Sequence, residues 1–184
     1  MYPTIESLGE CLLISPLRHV GPGATKFKTD SERILCDHRS NADVEVGTSS
    51  SALLTFEVAG PRERIYFDPA HTVAAVVTCG GVSPGLNDVV RGIVMELWHR
   101  YGVTEIYGIR YGYEGLVPKH NHTPLKLQPE IVANIQSFGG TILGSSRGPQ
   151  KVTEMVDGLE ELGVDMLFAI GDPLHPGHRR QAQD

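Results

Sequence analysis

Residues 73–79, Val-Ala-Ala-Val-Val-Thr-Cys, form a continuous apolar run that ends at Gly80-Gly81. Such a run suits a strand buried on both faces, and a strand of that kind needs helices above and below its sheet. The following residues repeat the theme. After the turn Gly-Gly-Val-Ser-Pro-Gly, Leu86, Val89, Val90, Ile93, Val94, Leu97, Trp98 and Tyr101 recur at spacings of three and four, which predicts one apolar helix face with Gly102 as its C-terminal stop. EIYGIRYG (105–112) reads as a second strand. QPEIVANIQSFGG (128–140) reads as a second helix with Ile131, Ile135 and Phe138 on one side, and TILGSSRGP (141–149) as a short strand running into a polar loop. QKVTEMVDGLEELG (150–163) reads as a third helix with Val152, Met155, Val156, Leu159 and Leu162 on its face, and VDMLFAIG (164–171) as the last strand. This alternation predicts the α/β class: a parallel sheet with helices packed on both faces. Ligands of such sheets bind outside the carboxyl ends of the strands. Three loops of small and polar residues fall there: Cys79 to Gly85, Gly144 to Gly148, and Gly171 onward.

Residues 1–72 have a different texture. Pro, Gly, Ser and Asp are scattered through them, and CLLI, RILCD and ALLTFEV read as short strands between loops. The expected organisation is an irregular β-containing extension over 1–72 and an α/β lobe over 73–184. The 184 residues suffice for a sizeable core. With 40% apolar and 21% charged residues the composition is that of a soluble globular chain. A net charge of −6 and the absence of a basic run argue against nucleic acid or an acidic membrane as partner. No stretch has the length of a membrane span, and the first residues lack a signal peptide's basic start. Cys11, Cys36 and Cys79, odd in number and not closely paired, read as reduced thiols of a cytosolic protein.

TCGGVSPGLNDVVRG (78–92) lets backbone approach a bulky anion. Gly80 and Gly81 carry no Cβ, and the helix that follows adds partial positive charge. The pattern is neither a Walker loop nor the dinucleotide fingerprint. A tight strand-to-helix turn without a ligand is the other reading of the same residues. Arg147 is the one cation in GSSRGP, where a guanidinium suits a phosphate clamp or stands solvated. Asp172 suits a divalent cation held through water, or opens a turn before Pro173. Cys79 lies near a helix start that lowers thiol pKa values, with a small buried thiol as the alternative. His120 and His122 show no third ligand at a metal-site spacing. Arg110 and Tyr111, at a strand end, suit the lining of a base or sugar pocket, or simple packing.

Four segments, AAVVTCGGVSPGLNDVVRGIV, IYGIRYGYEGLVP, GGTILGSSRGPQ and LEELGVDMLFAIG, together resemble the consecutive signatures of the phosphofructokinase family, in order and spacing, over about residues 70–172. IESLGEC, SPL and AGPRERIYFDPAHT also resemble the extension of its longer, plant-like and bacterial members. The resemblance implies a Rossmann-like three-layer lobe, a cytosolic location, magnesium as cofactor and a homo-oligomer. It also implies phosphoryl transfer from ATP, or in some branches pyrophosphate, to the 1-hydroxyl of fructose 6-phosphate. By motif, Gly81 matches the glycine that approaches the nucleotide phosphates, Arg147 and Gly148 the pair that lines the nucleotide site, and Asp172 the residue that holds magnesium.

The sequence departs from the family where the last strand ends. The family continues Gly-Gly-Asp-Gly-Thr/Ser; here Gly171-Asp172-Pro173-Leu174-His175 follows, and Pro173 removes an N–H. The motif Thr-Ile-Asp-Asn-Asp, which supplies the base, does not occur, so no catalytic residue is assigned. The expectation is an incomplete lobe: a fragment of an ATP-dependent 6-phosphofructokinase, inactive alone. The alternatives are a portion of a pyrophosphate-dependent enzyme, a non-catalytic nucleotide- or phosphate-binding domain, and a truncated product without function.

Overall fold

The computed structural model describes residues 8–19, 25–35, 55–81, 83–146 and 148–171. The chain divides into two compact units, Met1–Tyr66 and Phe67–Asp184.

The first unit is built from two short antiparallel pairs. β1 (Leu13–Ile14) pairs with β4 (Arg64–Ile65), and β2 (Arg33–Leu35) pairs with β3 (Thr55–Glu57) with Ile34 opposite Phe56. Strands lie within CLLI, RILCD and ALLTFEV as anticipated; β4 gave no signal in the sequence. Leu17 and Ser15 are buried, whereas Leu12, Ile14, Ile34 and Phe56 are exposed. Polar clamps carry part of the order: the Arg62 guanidinium donates to Asp30 Oδ1 at 3.0 Å and to the Val58 carbonyl at 2.9 Å.

The second unit is a four-stranded sheet in the order β7-β6-β5-β8. β5 (Val73–Cys79), β6 (Glu105–Ile109) and β8 (Met166–Gly171) run parallel, and β7 (Leu125–Lys126) pairs antiparallel with β6 at the edge. β5 is central, and Ala74 to Cys79 are all buried. Its pleat divides the core in two. Ala74 and Val76 join Ile106, Leu127 and Leu143 under α1 (Leu86–Glu96) and α2 (Pro129–Val132). Ala75 and Val77 join Ile109 and Leu116 under α3 (Val152–Glu161), through Met155 and Leu159. Helices therefore cover both faces, which makes this an α/β three-layer unit with one antiparallel edge strand. Asp165 registers the sheet at its base, accepting the Val73 N–H on Oδ2 at 2.8 Å and donating its own N–H to the Val73 carbonyl at 2.9 Å. Among the described residues no helix is long and apolar enough to cross a membrane.

Several details correct the sequence reading. The expected inward face holds for Leu86, Val90 and Val94 of α1 and Leu97 just after it, with Ile93, Trp98 and Tyr101 packed alongside, but Asn87 is buried too and Val89 is 46% exposed. Asn87 shares that face because its amide finds backbone partners inside. α1 then widens into a π turn, Leu97–Tyr101, and stops where anticipated: Gly102 is left-handed and Val103 N–H returns to the Leu97 carbonyl at 2.9 Å. The helix expected over 128–140 is only α2 and a separate 3-10 turn, Ile135–Ser137. Asn134 breaks it at a non-helical φ of −124°, and its carbonyl accepts the Ser137 hydroxyl at 2.7 Å. Val132 and Ile135 face inward, not Ile131 and Phe138. The strand expected from Thr141 does not form, because its backbone groups are taken by side chains, as described below. In α3, Val152 and Val156 are exposed, and Gly158 is the point of closest packing.

Candidate functional site

Because β5, β6 and β8 are parallel, their carboxyl ends open on one side of the sheet. β5 runs into Gly80-Gly81 and, after Ser83-Pro84-Gly85, into α1. Gly85 occupies the N-cap at φ 89°, and among the described residues no side chain caps the helix. The first-turn N–H groups are thus left for water or an anion. Gly81 is exposed, and among the described residues nothing lies within 4 Å of where a Cβ would stand. β8 ends at Gly171 beside Cys79, where φ is 115° and any Cβ would overlap the Cys79 carbonyl oxygen.

The end of β6 turns sharply. Tyr111 holds a left-handed φ of 61°, a conformation that costs a non-glycine residue about 1 kcal/mol or more. The Arg110 guanidinium lies 5.1 Å from the Tyr111 ring centroid and donates to its hydroxyl at 3.1 Å. The Tyr111 ring is partly exposed and meets His122 at a centroid distance of 4.7 Å.

Segment 138–146 lies against all three preceding elements. The Tyr111 N–H donates to the Leu143 carbonyl at 2.8 Å. Asn87, 2% exposed, donates through Nδ2 to the Phe138 carbonyl at 3.1 Å and accepts the Ile142 N–H on Oδ1 at 2.9 Å. The buried Thr78 hydroxyl donates to the Gly144 carbonyl at 2.8 Å and lies 3.1 Å from Thr141 Oγ1. Thr141 Oγ1 accepts the Leu143 N–H at 3.2 Å. One proton per hydroxyl then makes Thr141 the donor to Thr78. With these groups satisfied the segment has no need of a strand partner. Ser146 reaches the β6 corner, where a Cβ on Gly112 would stand 3.1 Å from the Ser146 nitrogen.

Gly81 and Gly148 are both exposed loop residues, and Gly148 has φ 116°. Arg147 and Asp172 lie outside the described residues. Cys79 is buried, and its thiol donates to the Ile170 carbonyl at 3.4 Å. Burial first, and then a hydrogen bond with Cys79, push the Tyr113 hydroxyl up to about 12. Among the described residues Cys79 is thus a packed thiol with a backbone acceptor. His122 Nε2 is 3.1 Å from Glu114 Oε1, and His120 stacks on His122 at 6.2 Å. Among the described residues no three His, Cys, Asp or Glu side chains gather as a metal-ligand set. A pocket of about 260 Å³, lined in part by Leu116, His122, Gly158 and Glu161, includes none of the glycine loops. Sequence reasoning missed Thr78, Asn87 and Thr141, which it placed in an apolar run, off the helix's inner face and in a strand.

A family model described as Phosphofructokinase matches residues 73–173. The chain is 47% identical over 169 residues to the ATP-dependent 6-phosphofructokinase of Borreliella burgdorferi, covering 91% of this chain and 37% of that protein. It is 48% identical over 148 residues to that of Trypanosoma cruzi, covering 79% of this chain and 30% of that protein. With the Amycolatopsis methanolica protein of the same name the identity is 44% over 170 residues, 91% of this chain and 37% of that protein. The chain thus spans about a third of the length of these curated relatives. The crystal structure of Pichia pastoris phosphofructokinase in the T-state superposes with a TM-score of 0.48 at 29% identity, covering 53% of this chain and 11% of that chain.

Proposed function

The chain belongs to the phosphofructokinase family, and from that premise we propose that its α/β unit holds the nucleotide in phosphoryl transfer from ATP to fructose 6-phosphate, in the cytosol. The observation that carries the proposal is the opening between β5 and α1: exposed glycine backbone, no protein atom described where a Gly81 Cβ would stand, and an uncapped helix start. Phosphate oxygens satisfy such donors directly. Gly81 and Gly148 let phosphates approach the backbone, and Arg147 clamps an oxygen pair. The name ATP-dependent 6-phosphofructokinase, shared by relatives from three distant organisms, supports ATP over pyrophosphate as the donor.

Magnesium is part of the same proposal. The ion retains several waters and takes one or two carboxylates besides the substrate's phosphates, so the open loops need supply no protein cage. Asp172 is the carboxylate we assign to it, and when bound the ion neutralises phosphate charge. The chain's own residues contribute position and charge: phosphoryl transfer depends chiefly on both.

Titration calorimetry with magnesium-ATP tests the reading, with pyrophosphate in a parallel series. We expect binding with a Kd on the order of 1 mM. Arg147→Ala should weaken it about tenfold, the share of one charge-assisted bond. Gly81→Ala should weaken it too without lowering the melting temperature, because its Cβ meets nothing described in the protein. No heat with ATP at saturation overturns the proposal, and tighter binding of pyrophosphate reverses the choice of donor.

A further inference from the structure

We infer that Thr78 and Asn87 are positioning residues that hold segment 141–146 in register with Gly80-Gly81 and the start of α1, so that backbone donors of both meet one polyphosphate; this rests on the nucleotide reading above. The two residues bracket the glycine loop. Thr78 is the next-to-last residue of β5, and Asn87 stands in the first turn of α1. Each reaches away from the loop to the same distant segment. The Asn87 amide donates to the Phe138 carbonyl and accepts from Ile142 N–H, so it grips both sides of the Gly139-Gly140 bend. Thr78 takes the Gly144 carbonyl, two residues before Ser146, which abuts Gly112.

The clamp matters because this segment is not a strand. A strand inherits its register from a ladder of backbone bonds. Among the described backbone–backbone bonds, the link between segment 141–146 and the sheet strands or their ends is Tyr111 N–H to Leu143 carbonyl. Side-chain bonds from Thr78 and Asn87 supply the rest. Both residues are buried, so water does not replace those bonds when they are lost. Neither residue is assigned a contact with a ligand. Their effect passes through the loop, and a small displacement of one donor set relative to the other suffices to weaken a polyphosphate that bridges both.

The test uses Thr78→Val, which keeps the side chain's shape and removes the hydroxyl, and Thr78→Ser, which restores it. Magnesium-ATP affinity, the melting temperature and amide hydrogen exchange are measured on the full 184-residue chain. The valine variant is expected to raise the ATP Kd about tenfold, while the serine variant stays within about twofold of the wild type. Exchange is expected to rise at Ile142 to Ser146 in the valine variant while Val76 and Val77 stay protected. Should Thr78→Val fail to fold, Asn87→Ala carries the same expectation, since alanine favours the helix it enters. A folded variant with unchanged ATP affinity overturns the inference alone. Affinity that falls only in step with global protection, equally for serine and valine, also overturns it. A wild-type chain that binds no ATP overturns the nucleotide reading and this inference with it.

Discussion

On one face of the sheet, Val90 and Val94 of α1 and Leu97 just after it are buried in a cluster with Val76, Ile106, Val132 and Leu143. On the other face, α3 meets Ala75, Val77, Ile109 and Leu116 through Met155, Leu159 and Leu162, which stay partly accessible. Its one fully buried position is Gly158, where a side chain would overlap the Leu116 carbonyl. The α1 face is closed by large side chains and by a second layer, α2 and segment 135–143. The α3 face is closed by backbone proximity at a glycine. Burial of apolar area is the main stabilising term, so the two faces should differ in what a lost methylene costs and in what an added one does.

The largest contrast is expected from truncation. Ile106→Ala should cost about 2–5 kcal/mol, because its site is sealed and cannot collapse fully. Leu159→Ala should cost about 1–2 kcal/mol, since water already reaches part of that side chain. Urea unfolding with unchanged slopes gives both values. Equal losses would mean that the α3 face is as tightly closed as the α1 face.

Addition should separate the faces by sign. Each helix carries one interior glycine. At Gly92 in α1 a Cβ meets nothing described within 4 Å, so Gly92→Ala should stabilise by up to about 1 kcal/mol through helix propensity. At Gly158 the same gain is opposed by the overlap with Leu116, and overpacking of this kind costs about 1–3 kcal/mol. Melting temperatures should therefore move up for Gly92→Ala and down for Gly158→Ala. A rise in both would show that α3 can lift off the Leu116 turn without loss.

The same contrast explains what could be read from the sequence. β5 was legible because a strand covered on both faces has to be apolar at every position, and its run ends where the strand ends, at Cys79. The stop of α1 was legible because Gly102 takes the left-handed conformation locally. So was the phase of that helix, apart from the exposed Val89 and the buried Asn87: burial of Asn87 depends on carbonyl and amide partners more than fifty residues away. Segment 141–146 has strand-like residues, and side-chain bonds from two other elements occupy the backbone groups a ladder would need. At the candidate site, the glycine loops announced themselves by composition. The left-handed Tyr111 and the Thr78 clamp could not, because both depend on the ends of β5 and β6 meeting segment 141–146. α3 was over-read for a related reason: Val152 and Val156 fit its apolar spacing but no described element covers them.

A face with partial apolar cover leans more on polar anchoring, and the smallest predicted effect tests that. Glu154, in the first turn of α3, accepts a hydrogen bond from Lys119 Nζ at 2.8 Å and lies 3.3 Å from Lys151 Nζ. Lys119 belongs to the 3-10 turn Pro118–His120, so the pair fastens that turn to the helix start, where a carboxylate also suits the helix dipole. The hydrogen bond to Lys119, then that to Lys151, holds the Glu154 carboxyl below its ordinary 4.5. A carboxyl whose folded pKa is depressed binds its proton more readily in the unfolded chain. Its contribution is therefore complete above the unfolded value of 4.5 and fades as pH falls through the lower folded value. Stability measured by urea between pH 6 and pH 3 should fall less steeply in Glu154→Gln than in the parent below that point, and the difference should shrink in about 1 M salt, where exposed pairs are screened within about 3 Å. Identical acid limbs in the two proteins would leave α3 held by Gly158 and its partly covered apolar side chains alone, and would make its face weaker than the comparison with α1 already implies.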